Sequence, residues 1–137
     1  MKISVEVMVN APIEKVWYSY TSPDAIKIWN AASDDWHTTK ATVDLRIGGV
    51  FSSRMEAKDG SMGFDFSGVY TKIDEYKLIE YSFGERIAQV IFDDTQDEVR
   101  VNVNFDPEST YSEEQQRNGW QAILANFKKY VESNIAL

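Results

Sequence analysis

The side chains that most often carry out catalysis or bind metals are scarce in this sequence. It contains one histidine, His37, and no cysteine. A catalytic triad needs a nucleophile beside an oriented histidine, and no glycine-flanked serine accompanies His37. A single histidine among scattered carboxylates also lacks the ligand spacings that are typical of zinc sites. We therefore expect no metal and no cofactor, and we interpret His37 as a surface or pocket-rim residue.

Asp44 and Arg46 are charged residues whose spacing could serve binding. They lie two positions apart on a predicted strand and therefore share one of its faces. A solvent-exposed pair would contribute only ~0–1 kcal/mol to stability, whereas a pair facing a cavity would anchor a ligand carboxylate or hydroxyl. The exposed interpretation is favoured, because the alternation makes Leu45 and Phe51 core partners. Asp65 lies between two phenylalanines and is likewise expected to point outward.

Aromatic residues give the richest functional signal. They make up 13% of the chain, which is more than a core of this size needs. Most of them are expected to pack in the core, filling it to the ordinary density of ~0.75, while some are expected to line a pocket. The candidates for that pocket are large apolar residues on elements that must converge: Trp29, Trp36, Met55, Phe66, Tyr70, Trp120 and Leu124.

The first third of the chain predicts one strand and two short helices. Apolar residues alternate from Ile3 to Val9, which is the pattern of a half-buried strand. Asn10 and Pro12 then indicate a helix start, with Asn10 as the cap. Ser22, followed by a proline and an aspartate, predicts the start of a second short helix by the same signals.

From about Trp36 to Asp106 the pattern changes to alternating apolar runs separated by turn residues. Six strands are predicted there, and their connections are too short for crossovers, so they form an antiparallel meander. Gly48 and Gly49 are predicted to be the two-residue turn of one hairpin. Together with the first strand, the sheet has seven strands.

The last predicted element is a helix of about 30 Å over residues 113–133. Ser112 and Gln115 have the spacing of a capping box. Gly119 inside the helix costs ~1 kcal/mol relative to alanine, and it is either a tolerated defect or a place where another backbone or a ligand approaches closely. One apolar stripe follows, formed by Trp120, Ile123, Leu124, Phe127, Val131 and Ile135.

Together, these elements predict one α+β domain over residues 1–137. A curved antiparallel sheet of seven strands wraps around the long C-terminal helix, because only that helix is long enough to cover the apolar face of the sheet. The two short helices after the first strand close one end. A twisted sheet that curls around a helix leaves a gap where it splays most.

The sequence resembles the activator of heat-shock-protein ATPase homologue family. The motif that opens the family's central hairpin is matched by Asp44–Phe51, and three weaker features follow the family order: Ala11-Pro12 with Val16-Trp17, Phe66 with Gly68 and Tyr70 ahead of Ile73, and Gly119-Trp120 with Leu124. The family is similar to the START-like, or SRPBCC, superfamily of birch-pollen-allergen-like proteins. The resemblance implies their helix-grip fold, with a cavity between sheet and helix, but it does not imply one particular ligand.

Three functions remain open at this level, and binding of an apolar small molecule is favoured. A protein-interaction module of the chaperone-activating type is the alternative, although the sequence has no counterpart of the separate N-terminal domain of the eukaryotic co-chaperones. An enzyme acting on a ring compound is the third, and it is disfavoured because no convergent pair of titratable groups stands out.

The composition is that of an acidic, folded protein. Hydrophobic residues make up 43% and charged residues 26%, a balance that disordered chains do not have. The formal net charge of −8 repels phosphate backbones and anionic lipids, so neither nucleic acid nor membrane insertion is expected. No apolar run reaches the length of a membrane span, and no secretory signal is visible. We therefore expect a soluble, cytoplasmic protein.

Overall fold

A computed structural model describes residues 2–133 of the chain and confirms an α+β fold of seven strands and three helices. Ile135, the last residue of the predicted stripe, lies outside the described residues. In chain order the elements are β1 (Ile3–Val9), α1 (Ile13–Thr21), α2 (Pro23–Trp29), β2 (Trp36–Val43), β3 (Val50–Ala57), β4 (Gly63–Asp74), β5 (Leu78–Phe83), β6 (Arg86–Asp94), β7 (Val99–Phe105) and α3 (Glu113–Ser133).

The strands form one antiparallel sheet in the order β1-β7-β6-β5-β4-β3-β2. The six strands from β2 to β7 follow one another as a meander, as predicted, and β1 adds to the far side of β7 with Ile3 opposite Phe105. The two edges are therefore β1 and β2, which lie on opposite sides of a curled sheet.

The core lies between the concave face of this sheet and the helices. Alternate residues of β1 and β7 point inward, and Val5, Val101 and Phe105 are almost completely buried. Phe127 and Val131 of α3 are fully buried against them. Because burying one such side chain stabilises the fold by roughly 1.5–3 kcal/mol, this apolar contact fixes α3 against the sheet. Within residues 2–133, no helix combines the length and the apolar character required to cross a bilayer.

The start of α3 has the predicted capping box. The Gln115 N–H donates to the Ser112 hydroxyl (3.1 Å), and the Ser112 N–H donates to the Gln115 side-chain oxygen (3.2 Å). Buried Gln116 also holds the segment before the helix, because its side-chain amide nitrogen donates to the carbonyls of Glu108 and Tyr111 (3.1 and 2.9 Å). The connection from β7 is thus tied to the first turn of the helix.

The predicted cap of α1 is wrong. The residue before the helix is Pro12, in an extended conformation, and no side chain caps the helix start. Asn10 lies too early to cap, because a capping residue directly precedes the first helical residue. Its backbone N–H instead donates to the carboxylate of Glu132 in α3 (2.8 Å). Ser22 does precede α2, but its side chain makes no capping hydrogen bond either.

The predicted two-residue turn at Gly48 and Gly49 is also wrong. The strands β2 and β3 are joined by a six-residue loop, 44–49, which folds back so that the Gly48 N–H donates to the Tyr70 carbonyl (2.8 Å) and the Tyr70 N–H to the Gly49 carbonyl (2.9 Å). A Cβ on Gly49 would lie 2.0 Å from the backbone oxygen of Asp44, so only glycine fits there. Leu45 is exposed in this loop and is not a core partner of Phe51.

Gly119 is a tolerated helical glycine. No atom outside its own stretch of helix lies within 4 Å of the position that a Cβ would occupy, so the hypothesis that another backbone approaches closely is wrong. We expect Gly119→Ala to raise the free energy of unfolding by ~0.5–1 kcal/mol, because alanine loses less backbone entropy on folding. Thermal unfolding measures this gain. Gly49→Ala is the matched control and should be clearly destabilising. A lower melting temperature for Gly119→Ala would show a steric restriction at this position.

Candidate functional site

A cavity of about 470 Å³ lies between the concave face of the sheet and α3. Its wall includes side chains from all three helices and from β2 to β7, so the long helix and the sheet enclose it jointly. Most of the wall is apolar. Drug-sized ligands typically occupy clefts of ~300–1,000 Å³ with a small number of polar groups, so the volume is sufficient for a small molecule.

All seven residues predicted as pocket candidates lie in this wall. Helices supply three of them, Trp29 from α2 and Trp120 and Leu124 from α3, and strands supply the other four, which are Trp36, Met55, Phe66 and Tyr70. The structure therefore brings together every candidate that the sequence indicated. Ligand contact by these residues remains a prediction.

Several wall residues were not predicted, among them Phe51, Tyr81, Tyr20 and Arg86. The signal for Tyr81 was present, because it alternates with Ile79 and Phe83 along one strand. Arg86 follows a Gly-Glu turn, where a charged residue is ordinarily exposed. Only the pairing of Arg86 with Phe83 across the hairpin shows which face it occupies.

Aromatic rings form the wall near the start of α3. Trp120 stacks on Phe105, with ring centroids 3.9 Å apart and nearly parallel planes. It also meets Phe83 at 5.9 Å and Phe66 at 6.2 Å. Trp120 therefore packs against β7, β5 and β4. These mutual contacts restrict ring motion and give the wall a defined shape.

Trp29 borders the cavity from the side of the short helices. Its indole N–H donates to the Ser19 carbonyl (2.9 Å), and its ring packs against Tyr20 and Phe127 at centroid distances of 5.2 and 5.0 Å. Because the only side-chain donor of Trp29 is already used within the protein, this side chain presents apolar ring surface to the cavity.

Three tyrosine hydroxyls contribute to the polar part of the cavity wall. Within residues 2–133, those of Tyr20, Tyr70 and Tyr81 make no hydrogen bond to protein, while every fully buried side-chain nitrogen or oxygen has a partner. The three hydroxyls must therefore open into the cavity. Burial raises the pKa of Tyr70 to about 12 and raises the pKa of Tyr20 and Tyr81 further. Asp44 also raises the pKa of Tyr70, Tyr70 that of Tyr20, and Tyr20 and Tyr70 that of Tyr81, so all three hydroxyls remain neutral donors.

The cavity opens along the β2 edge of the sheet. The exposed members of its wall are Ala32 and Ser33 in the loop after α2, Thr42 on β2 and Phe64 on β4. This loop is held from both sides. The Thr38 hydroxyl donates to the Asn30 carbonyl (2.6 Å), and the Asn126 amide of α3 donates to the Ala31 carbonyl.

The other polar residues that the sequence indicated lie away from the cavity. His37 is exposed on β2. Asp44 and Arg46 form an exposed ion pair of 3.0 Å in the 44–49 loop, and Asp65 points outward to Arg54 (3.5 Å). In the described part of the chain, no three residues among histidine, aspartate and glutamate lie where they could hold a metal ion.

Comparisons with known proteins agree with this architecture. The family model described as Activator of Hsp90 ATPase homolog 1-like protein (AHSA1) matches residues 10–132. The solution NMR structure of the AHSA1-like protein from Aeromonas hydrophila is 45% identical, with a TM-score of 0.92 over 97% of this chain and 93% of that one. A solution structure from Cytophaga hutchinsonii is 48% identical, with a TM-score of 0.84 over 98% and 94% of the two chains.

A crystal structure from Nitrosomonas europaea is only 18% identical, with a TM-score of 0.85 over 100% of this chain and 97% of that one. At that identity it shows the fold alone. No curated protein matches this chain. The similarity therefore indicates a family and an architecture and names no ligand.

The three tyrosines predict a loss of stability at alkaline pH. In the unfolded chain their hydroxyls ionise near pH 10, whereas burial holds the pKa of each above that value in the folded chain. Above pH 10 the unfolded chain releases protons that the folded chain keeps, so the free energy of unfolding falls as the pH rises. We expect the melting temperature to be level up to about pH 9.5 and to fall toward pH 12.

Calorimetry across this pH range measures the effect. Tyr70→Phe should make the alkaline fall shallower, because phenylalanine has no proton to release. Tyr111→Phe is the control, since Tyr111 is exposed and should leave the profile unchanged. If the phenolate absorbance of the folded protein showed all seven tyrosines ionising together near pH 10, the three hydroxyls would not be buried as described.

Proposed function

The chain belongs to the Activator of Hsp90 ATPase homolog 1-like family, and we propose that it binds an apolar small molecule in the cavity between its sheet and α3. The observation that carries this proposal is an apolar cavity of about 470 Å³ inside a fold that has an ordinary buried core elsewhere. Protein interiors contain few voids larger than a water molecule. A cavity of this size is therefore better explained by a role in ligand binding than by incomplete packing.

The wall suits a ligand with a flat or cyclic apolar body. Phe51 packs edge-on against Tyr81 at 4.8 Å and lies 5.2 Å from Tyr70, so the rings support each other and do not collapse into the space. A preformed wall lowers the ordering cost of binding. The free hydroxyls would then orient the guest by donating to one or two of its oxygen atoms.

We propose binding in preference to catalysis. Among the described residues, the cavity wall contains no histidine and no carboxylate, which are the groups that most often act as general bases near neutral pH. Its tyrosine hydroxyls keep their protons far above that range. An acid–base reaction on a bound molecule would therefore lack a base.

A protein-interaction role of the chaperone-activating type is the second candidate, and one surface feature favours it. Val50 is more than half exposed and pairs with exposed Val69 on the neighbouring strand, and Ile47 is exposed in the loop that leads to β3. Exposed apolar clusters of this kind occur at protein–protein contacts. This surface is distinct from the cavity, so substitutions in one should leave the function of the other intact.

Filling the cavity tests the proposal. We expect the neutral fluorescent probe N-phenyl-1-naphthylamine to bind saturably, with increased fluorescence, because its two aromatic rings match the apolar wall. Leu124→Trp should abolish this binding, since Leu124 is a buried wall residue. Ile28→Trp adds the same ring at an exposed site on α2 and should leave binding unchanged.

A second cavity-filling variant keeps the test decisive if Leu124→Trp does not fold. Ser53 is a buried wall residue whose hydroxyl makes no hydrogen bond within residues 2–133, so Ser53→Leu reduces the volume without breaking one. Circular dichroism and melting temperature report folding of each variant. Saturable binding that neither filling variant weakens, or no saturable binding by the parent protein, would overturn the proposal.

A further inference from the structure

Arg86 is a charged residue placed inside an apolar cavity. It is the first residue of β6, and the alternate residues that follow it, Ala88, Val90 and Phe92, are buried on the concave face. The two-residue periodicity of a strand therefore directs Arg86 to the same face. Of all the described residues that line the cavity, Arg86 is the only one with a charged side chain.

The guanidinium of Arg86 is held in place but is not neutralised. One terminal nitrogen donates to the Asp106 carbonyl (3.3 Å), and the guanidinium carbon lies 4.3 Å from the centre of the Phe83 ring. No carboxylate of the described chain lies within 4.0 Å of it. A guanidinium has five N–H donors, and only one of the hydrogen bonds that they could form is made within the described chain.

Other arginines near the sheet surface are paired. Arg54 contacts Glu56 and Asp65, and Arg100 contacts Asp93 and Glu6. In a chain with a net charge of −8, acidic side chains outnumber basic ones, so the lack of a partner at Arg86 does not come from a shortage of acids. A partly buried charge without a counterion is costly, and an anion inside the cavity would remove that cost.

A donor from the neighbouring strand lies beside this charge. Phe83 is paired with Arg86 across the β5–β6 hairpin, and Tyr81 is the next inward residue of β5. The cationic charge of Arg86 also lowers the pKa of Tyr81, opposing the larger effect of burial. Arg86 and the Tyr81 hydroxyl therefore form one corner of the cavity that combines a positive charge with a neutral donor.

We propose that the natural ligand is an apolar carboxylic acid, whose carboxylate is bound by Arg86 and the Tyr81 hydroxyl while its apolar body lies among the aromatic rings. This inference rests on the proposed binding function and adds the chemical class of the ligand. Guanidinium and carboxylate match as parallel pairs of hydrogen bonds, which are stronger than neutral ones. The rest of the wall offers only apolar surface and neutral polar groups.

A matched pair of competing ligands tests whether a carboxylate strengthens binding in the cavity. Decanoic acid and decanol have the same chain and differ in the head group, and each is titrated against bound N-phenyl-1-naphthylamine at neutral pH. We expect decanoate to displace the probe at a concentration about tenfold lower than decanol, because only decanoate forms the charge-assisted pair. Equal displacement by the two would overturn the proposal.

Substitutions of arginine test whether Arg86 causes the preference for decanoate. Arg86→Met keeps the apolar stem over Phe83 and should abolish the preference for decanoate over decanol. Arg86→Lys keeps the charge and should retain part of the preference. Arg100→Met removes a paired arginine of the outer face and should change nothing. A full preference for decanoate in folded Arg86→Met would place the anion site elsewhere and overturn the proposal.

The two proposals fail in different ways. If the probe does not bind the parent protein saturably, the cavity does not bind ligands and both proposals are wrong. If the probe binds but acid and alcohol compete equally, the cavity binds apolar molecules without an anion site. Because the comparison in the parent protein needs no substitution, it decides the matter even if an Arg86 variant does not fold.

Discussion

One helix has to cover the concave face of a seven-stranded sheet, and it is too narrow to do so completely. An α-helix with its side chains is about 10–12 Å wide, whereas seven strands at their normal spacing extend over about 30 Å. α3 contacts β1 more than any other element, and the remaining helices contribute α2 against β2 at the opposite edge. Part of the inner face of the sheet between these edges therefore faces space that no backbone element occupies.

Large aromatic side chains reduce this space without filling it. Phe51 shows how, because its ring lies across Gly68 of the neighbouring strand, where a Cβ would approach the ring to 2.6 Å. Only glycine leaves room for the ring in that position. From there Phe51 contacts Phe66, Tyr70 and Tyr81. The glycine thus shapes the wall indirectly, and the rings that it admits prevent the sheet from closing onto α3.

The sequence predicted the features that depend on short-range patterns. Alternation identified the strands, the spacing of Ser112 and Gln115 identified the start of α3, and large apolar residues on converging elements identified seven members of the cavity wall. Features that depend on distant contacts were missed or wrong. The conformation of the loop at Gly48 and Gly49 is determined by hydrogen bonds to Tyr70 on another strand. The backbone N–H of Asn10 donates to the carboxylate of Glu132, which is 122 positions away in the sequence. The inward orientation of Arg86 was missed for the same reason, because it is evident only from the pairing of Arg86 with Phe83 across the hairpin.

The volume of the cavity and its chemistry are set by different residues. Backbone elements, glycines and mutually packed rings determine how much space exists, and these features define the fold that the chain shares with relatives of low sequence identity. The polar character depends on a few side chains that the fold does not require, among them three tyrosine hydroxyls without protein partners and one arginine without a counterion. Replacing Arg86 with an apolar residue would leave the sheet pairing and the helix contact intact, while the cavity would lose its only positive charge among the described residues. Proteins of this architecture can therefore bind chemically different molecules in the same space, which is why the fold alone does not identify the ligand.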